Sequence, residues 1–284
     1  MVGTHDSAWR WDPTLFAGSA AYYAQGRVAY PPALTQALVR ELQLDGTGRL
    51  LDIGCGPGSL TLPLAPHYAD GVAIDADPDM IEVASSRAAR HGLDNISWRQ
   101  LRGEELGSEL APVRTAVLAQ SFHWMDRPRV AGLVHDLLEA GGTLVHVHAT
   151  THRGGSDTEG LSGPQPPYEA IAELVQNYLG AERRAGQGVL RFGTPSGEDE
   201  VYRGAGFVDP QRIEVPAWVV ERSVDDVVAA VYSQSGSAPH LFGDRLPDFG
   251  HELRILVAQA AGGELFTERM SPIAVDIWHR AIDR

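Results

Sequence analysis

The chain has 284 residues, 43% of them hydrophobic, and a formal net charge of -14. That length suits one large domain or a core with a cap, and the acidic balance argues against a nucleic-acid partner, which would call for a basic face. No apolar run approaches the roughly 20 residues of a bilayer span, the N-terminal stretch lacks the apolar core of a signal peptide, and the single cysteine, Cys55, excludes an internal disulfide and cysteine-cluster metal sites.

A cytoplasmic protein without a membrane partner is therefore expected. All basic side chains other than histidine are arginine, which excludes a P-loop or Schiff-base lysine.

Residues 1–31 read as an irregular aromatic arm with Trp9, Trp11, Phe16, Tyr22, Tyr23 and Tyr30. Pro31-Pro32 separates the arm from a helix over about Ala33 to Leu42. Gly48 to Ile53 predicts a first strand. A helix over Ser59 to Tyr68 follows, shortened or bent by Pro63 and Pro66. Gly71 to Asp75 predicts a second strand. Asp77 then caps a helix that has Pro78 in its first turn and runs to about His91. Asn95 to Gln100 and Ala116 to Gln120 read as strands three and four. A helix over Pro128 to Glu139 is stopped by Gly141-Gly142, and Thr143 to Ala149 is strand five. Residues 151–165 read as a loop. Helices are expected over Pro167 to Leu179, Glu198 to Ala205, Val224 to Tyr232 and Asp248 to Ala261. A polar stretch with Arg183, Arg184 and Arg191 lies between the first two. Phe207 to Val220 reads as strand six and Gly236 to Pro247 as a loop. Alternation in Ser271 to Arg280 suggests an antiparallel edge strand with one buried face.

The chemistry concentrates in Leu50-Leu51-Asp52-Ile53-Gly54-Cys55-Gly56-Pro57-Gly58-Ser59. An apolar strand, an acid, a glycine turn and a helix start form the layout of a nucleotide site. Gly56 and Gly58 let a ligand lie against backbone. Asp75, about twenty residues on and closing the second strand, is placed to accept ribose hydroxyls. A dinucleotide fingerprint would need glycine at Ser59. Read instead as D-x-G-x-G-x-G, the positions Asp52, Gly54, Gly56 and Gly58 all match. In this the chain resembles the class I S-adenosylmethionine-dependent methyltransferases.

Further motifs place the resemblance in the small-molecule, type 11-like branch and extend it over about residues 20–150. Tyr22 to Pro31 is similar to the branch's Tyr-x-x-x-Arg-Pro-x-Tyr-Pro arm, with Val28 for proline. The resemblance implies that Arg27 pairs with the methionine carboxylate of the cofactor, and that Tyr22 and Tyr23 wall the substrate cavity. Ala76 and Met80 would touch adenine. Arg102-Gly103-Glu104-Glu105-Leu106 resembles the loop that meets the adenine amino edge, through either Glu104 or Glu105. Gln120-Ser121-Phe122-His123-Trp124-Met125-Asp126 follows strand four, as in that branch, and Leu137 to Gly142 matches its Leu-Leu-x-Pro-Gly-Gly. Cys55 and Gln120 join the implied cofactor set. His123 is the candidate base, and Trp124 a cavity wall. His146, His148 and His152 could hold a metal, but only Asp157 offers a nearby carboxylate and the family needs none. No metal is predicted, and the histidines are expected to line the substrate cavity.

The implied fold is α/β: a Rossmann-like, doubly wound, mostly parallel seven-stranded sheet with an antiparallel last strand and a helical cap. A single domain over 1–284 is expected, with a cofactor core at 32–150 and cap segments at 1–31, 151–200 and 221–262. The implied activity is methyl transfer from S-adenosylmethionine to a small organic molecule. Two alternatives are the same fold binding the cofactor without transfer, as a cyclase or regulatory binder, and a nicotinamide-dependent oxidoreductase. The sequence carries no signal of oligomeric state.

Overall fold

The computed structural model describes residues 12–181, 184–185, 188–189 and 197–280. Trp9, Trp11, Arg183 and Arg191 lie outside the described residues.

The chain starts with α1 (Ala20–Gly26) and α2 (Pro32–Glu41), then alternates β1 (Arg49–Ile53), α3 (Thr61–Leu64), β2 (Asp70–Asp75), α4 (Pro78–Arg90), β3 (Ile96–Gln100), β4 (Val113–Ala119), α5 (Arg127–Leu137) and β5 (Leu138–His148). Next come α6 (Tyr168–Leu179), the short β6 (Arg184–Ala185) and β7 (Gly188–Val189), and α7 (Glu198–Gly204). The chain ends with β8 (Phe207–Val215), β9 (Trp218–Arg222), α8 (Val224–Tyr232), α9 (Leu246–Ala261), β10 (Phe266–Met270) and β11 (Ile273–Arg280).

The main sheet has the order β3-β2-β1-β4-β5-β11-β8. β1 pairs parallel with both β2 and β4, and Leu50, Leu51 and Ile53 are fully buried. A strand covered on both faces favours apolar side chains on both, and β1 departs from this only at Asp52, which is buried with them, and at its first residue, Arg49. The order reverses between β1 and β4, so a crevice opens at their carboxyl ends. α4 follows its sequence signals closely. Asp77 Oδ1 accepts from the Asp79 amide at 2.9 Å, Pro78 opens the helix, and Met80, Ala84 and Ala88 form its buried stripe.

Four expectations are corrected. The arm is not wholly irregular, since Ala20–Gly26 is helical. Gly141-Gly142 does not stop a helix: α5 ends at Leu137, and the glycines sit inside β5, where the β4–β5 register shifts between Val113 and Thr115. Strand six is two strands, broken at Pro216, which has no amide to continue a ladder. Its second half, β9, leaves the main sheet and pairs antiparallel with β10. β10 was hidden because Glu268 occupies an inward position between Phe266 and Met270. β11 is antiparallel to β5 and to β8; it lies one place in from the border, which β8 occupies.

Residues on α6, α8 and α9 build a separate apolar cluster beside the sheet, in which Phe242 and Phe249 stack with centroids 3.9 Å apart. α1 is sewn to α8. Ser19 Oγ donates to Tyr232 O at 2.8 Å, and a Cβ on Gly26 would stand 2.4 Å from the Ala229 backbone. One buried ion pair ties the cap together. Arg222 Nη1 donates to Glu268 Oε2 at 3.1 Å, with the side chains 4% and 2% exposed. The same guanidinium reaches the carbonyls of Gly26, His152 and Asp226. Glu268 Oε1 accepts from Tyr168 Oη at 2.5 Å and from the Gly154 amide at 2.6 Å.

Candidate cofactor and acceptor site

β1 delivers the glycine loop to the crevice. The Gly54 and Cys55 amides donate to Ile74 O at 2.8 and 2.9 Å, which turns the chain over β2. Gly54 has φ +69°, and a Cβ there would stand 2.5 Å from that of Ser121, whose Oγ donates to Ile53 O at 2.6 Å. The loops after β1 and β4 are thus locked side by side. A Cβ on Gly56 would meet only a Tyr23 ring carbon at 3.9 Å. Gly56 therefore leaves bare backbone beside the cavity.

This first cavity holds about 810 Å³ of space, including open solvent at its mouth. Gly54, Gly56, Asp75, Ala76, Met80 and Glu104 border it, and Phe16, Tyr23, Gln120 and Trp124 close its other side. Asp75 Oδ2 accepts from the Gly56 amide at 2.8 Å and Oδ1 from the Asp77 amide at 2.9 Å. Burial pushes its carboxyl up to about 6. Asp52 Oδ2 accepts from Thr61 Oγ1 at 2.6 Å, while Oδ1 has no hydrogen-bond partner among the described residues. Burial pushes Asp52 up to about 7. Asp52 and Cys55 border a smaller cavity beneath the loop, together with Tyr30 and Gln120.

Of the two adjacent glutamates, Glu104 borders the cavity; its Oε1 accepts from the Asp126 amide at 2.7 Å, joining two loops. Glu105 is exposed and pairs with Arg102 at 2.9 Å. Gly58 also points elsewhere. Its φ of +76° and the Trp98 ring 3.0 Å from a Cβ position make it a packing glycine.

A second cavity, of about 1030 Å³, adjoins the first and shares Phe16, Tyr23, Gln120 and Trp124 with it. Its polar wall is His123, His146, His148 and His152, with Arg27 and Glu198. His146 is 5% exposed and its Nδ1 lies 3.1 Å from Tyr202 Oη. Burial, then the neighbouring His148, pulls it down to about 3, so the ring is neutral. His148 Nε2 lies 3.1 Å from Asp276 Oδ2. Among the described residues no group of three or more His, Cys, Asp or Glu is arranged to hold a metal ion.

One arm residue, Tyr22, sits differently from expectation, while Arg27 borders both the second cavity and the smaller one beneath the glycine loop. Tyr22 packs on Tyr232, centroids 4.8 Å apart, within the cap's apolar cluster and at neither cavity. Because the arm is helical here, Tyr22 and Tyr23 point about 100° apart, and only Tyr23 reaches the cavities. Arg27 donates through Nε to Ser233 Oγ and through Nη2 to Ser233 O, both at 2.8 Å, and lies over the Tyr23 ring. Its guanidinium thus secures the arm to α8 while bordering the second cavity. Phe16, Glu198 and Gln234 were not singled out from the sequence. Phe16 meets Trp124 edge-on at 5.7 Å, and only the aromatic character of the arm hinted at it.

Residues 50–142 match the family profile described as a methyltransferase domain. The chain carries a class I S-adenosylmethionine-dependent methyltransferase domain. The chain is 33% identical over 136 residues to the uncharacterized methyltransferase Rv3342 of Mycobacterium tuberculosis, a match covering 48% of this chain and 52% of the relative. It is 30% identical over 129 residues to the probable S-adenosylmethionine-dependent methyltransferase CRG1 of Saccharomyces cerevisiae, covering 44% and 43%. The chain spans about half the length of the curated relatives it matches. YcgJ from Bacillus subtilis superposes with a TM-score of 0.51 at 16% identity, covering 88% of this chain and 98% of that one. The [4+2]-cyclase SpnF does so with a TM-score of 0.50 at 18% identity, covering 91% and 85%. These two likenesses concern the fold alone. No described helix is long and apolar enough to cross a membrane.

Proposed function

We propose that the protein transfers a methyl group from S-adenosylmethionine to a small organic acceptor. The observation that carries this is the arrangement of two cavities in series, one on the glycine loop and Asp75, the other among histidines, with a shared wall of Phe16, Tyr23, Gln120 and Trp124. The chemistry of the first cavity fits the cofactor. Asp75 is a carboxylate beside bare backbone and would accept the ribose hydroxyls. Ala76 and Met80 offer apolar contact to adenine, and the Gly103–Glu104 turn offers its edge. The partnerless Asp52 Oδ1 lies beneath the loop, a negative end for the cationic part of the ligand.

When bound, the cofactor's sulfonium supplies a methyl group that is already activated. The protein's share is then alignment and exclusion of water. Phe16, Tyr23 and Trp124 form the apolar rim between the cavities. His123, in the second cavity, receives the proton that an acceptor hydroxyl or amine gives up as its new bond to carbon forms. The fold-level likeness to a cyclase supports one further reading, in which the cofactor is bound but its methyl stays in place.

Calorimetry of the Asp75→Ala variant tests the cofactor assignment: S-adenosylmethionine binding is lost, and an unchanged affinity would refute the ribose role. Incubation with cofactor labelled in the methyl group, and with candidate phenols, acids and amines, tests transfer. Label that never leaves the cofactor favours the cyclase-like reading.

A further inference from the structure

Beyond the histidine cavity lies a third, of about 940 Å³, inside the cap. It abuts the second at His152 and Gln234, which border both. Its wall is of another kind. α6 contributes Ile171, Val175 and Leu179, spaced four apart on one helical face, and α8 contributes Val227 and Val231. Val175 and Leu179 belong to the cap's apolar cluster yet remain partly exposed. Aliphatic side chains around open space forfeit contacts that a hydrocarbon would restore.

Three compartments therefore run in series, and their chemistry changes along the line. The first offers carboxylates and bare backbone. The second offers imidazoles, each with one acceptor and one donor nitrogen when neutral, beside Arg27 and Glu198. The third offers mainly hydrocarbon between α6 and α8, with Arg153, Gln176 and Ser237 also on its border. A molecule filling the second and third together needs a hydrogen-bonding end and an apolar end. If the first cavity holds the methyl donor, the hydrogen-bonding end is the one that reaches it.

We propose that the acceptor is an elongated amphiphile, with a hydroxylated head in the histidine cavity and a hydrocarbon tail between α6 and α8. This rests on the methyl-transfer reading for the orientation of the molecule. It narrows the acceptor from any small organic compound to alkyl- or prenyl-bearing hydroxyl compounds.

The test uses the full chain saturated with S-adenosylhomocysteine and a series of 4-alkylphenols from methyl to nonyl, titrated by calorimetry. Each added methylene buried in the third cavity lowers Kd by about fourfold until the cavity is full. Ala172 borders this cavity and is solvent-exposed, so Ala172→Trp narrows it at little risk to folding. In that variant the dependence on chain length flattens, while 4-methylphenol and S-adenosylhomocysteine bind as before. Val175→Trp on the neighbouring turn gives the same pattern. Chain-length-independent affinity, no binding across the series, or an unaltered dependence in both variants overturns the proposal. Failure of S-adenosylhomocysteine to bind would instead remove the methyl-transfer reading itself, so the two failures are distinguishable.

Discussion

The two sides of the crevice are built by opposite means. The proposed cofactor side is short-range: Asp52, Gly54, Gly56, Asp75 and Glu104 come from three consecutive strand ends and offer backbone and carboxylates. The acceptor side is long-range. Phe16, His123, His146, Glu198 and Gln234 arrive from the arm, the loop after β4, β5, α7 and the segment after α8. The first kind of surface is encoded by spacing, the second only by how distant segments pack. Variants that strike one side should leave the other standing.

The largest effect is expected at the cap's ion pair. Glu268→Ala strands a buried guanidinium, and removing one partner of such a pair costs about 3–5 kcal/mol. Urea denaturation followed by Trp fluorescence should report that loss. A loss below about 1 kcal/mol would mean the cap does not depend on this pair. His123→Ala should lower the rate of methyl transfer by about a hundredfold or more, while calorimetry returns an unchanged affinity for S-adenosylmethionine. Equal loss in both would erase the distinction between the two sides.

The pH dependence sharpens the contrast by about tenfold per proton. Asp75 and Asp52 are raised to about 6 and about 7, against roughly 4 in an unfolded chain. Below those values the folded protein holds protons that the unfolded chain has released, so their contribution to stability falls as pH rises from about 4 to about 7. Binding of a cationic ligand favours the ionised carboxylates and should strengthen over the upper part of that window. Titrations of S-adenosylmethionine at stepped pH, beside melting curves, should show the two trends running in opposite directions.

The smallest effects separate two glycines. Gly58→Ala crowds Trp98 and forces a side chain onto a positive φ, costing about 1–2 kcal/mol of stability. Gly56→Ala shares the backbone penalty but meets almost nothing in the protein. Its added signature is a weaker Kd for S-adenosylmethionine.

Sequence reasoning found the parallel core because β1, β2 and β4 are largely apolar and α4 opens on a capping aspartate followed by proline. It singled out the loop and Asp75, which the fold brings to the first cavity, from their spacing alone. It went astray where a residue's role is set by something remote. Gly58 shares the look of Gly56, but Trp98 on another strand decides what it does. Tyr22 and Tyr23 are neighbours in sequence, and only the helical pitch of α1 sends one to the cap core and one to the cavities. β10 escaped notice because Glu268 turns inward toward Arg222, against the usual alternation. Glu198 and Gln234 carried no local signal at all, since nothing in their own segments shows that folding brings them to His146.

The reach of Arg222 sets how such a protein can open. One guanidinium grips the arm at Gly26, the chain after β5 at His152, and the start of α8 at Asp226, so these three walls form a single rigid frame. The residues around Phe16 and Trp124, by contrast, meet through ring edges, which slide at small cost. The frame is thereby the more firmly tied wall of the molecule, held by one charged group at three separate places in the chain.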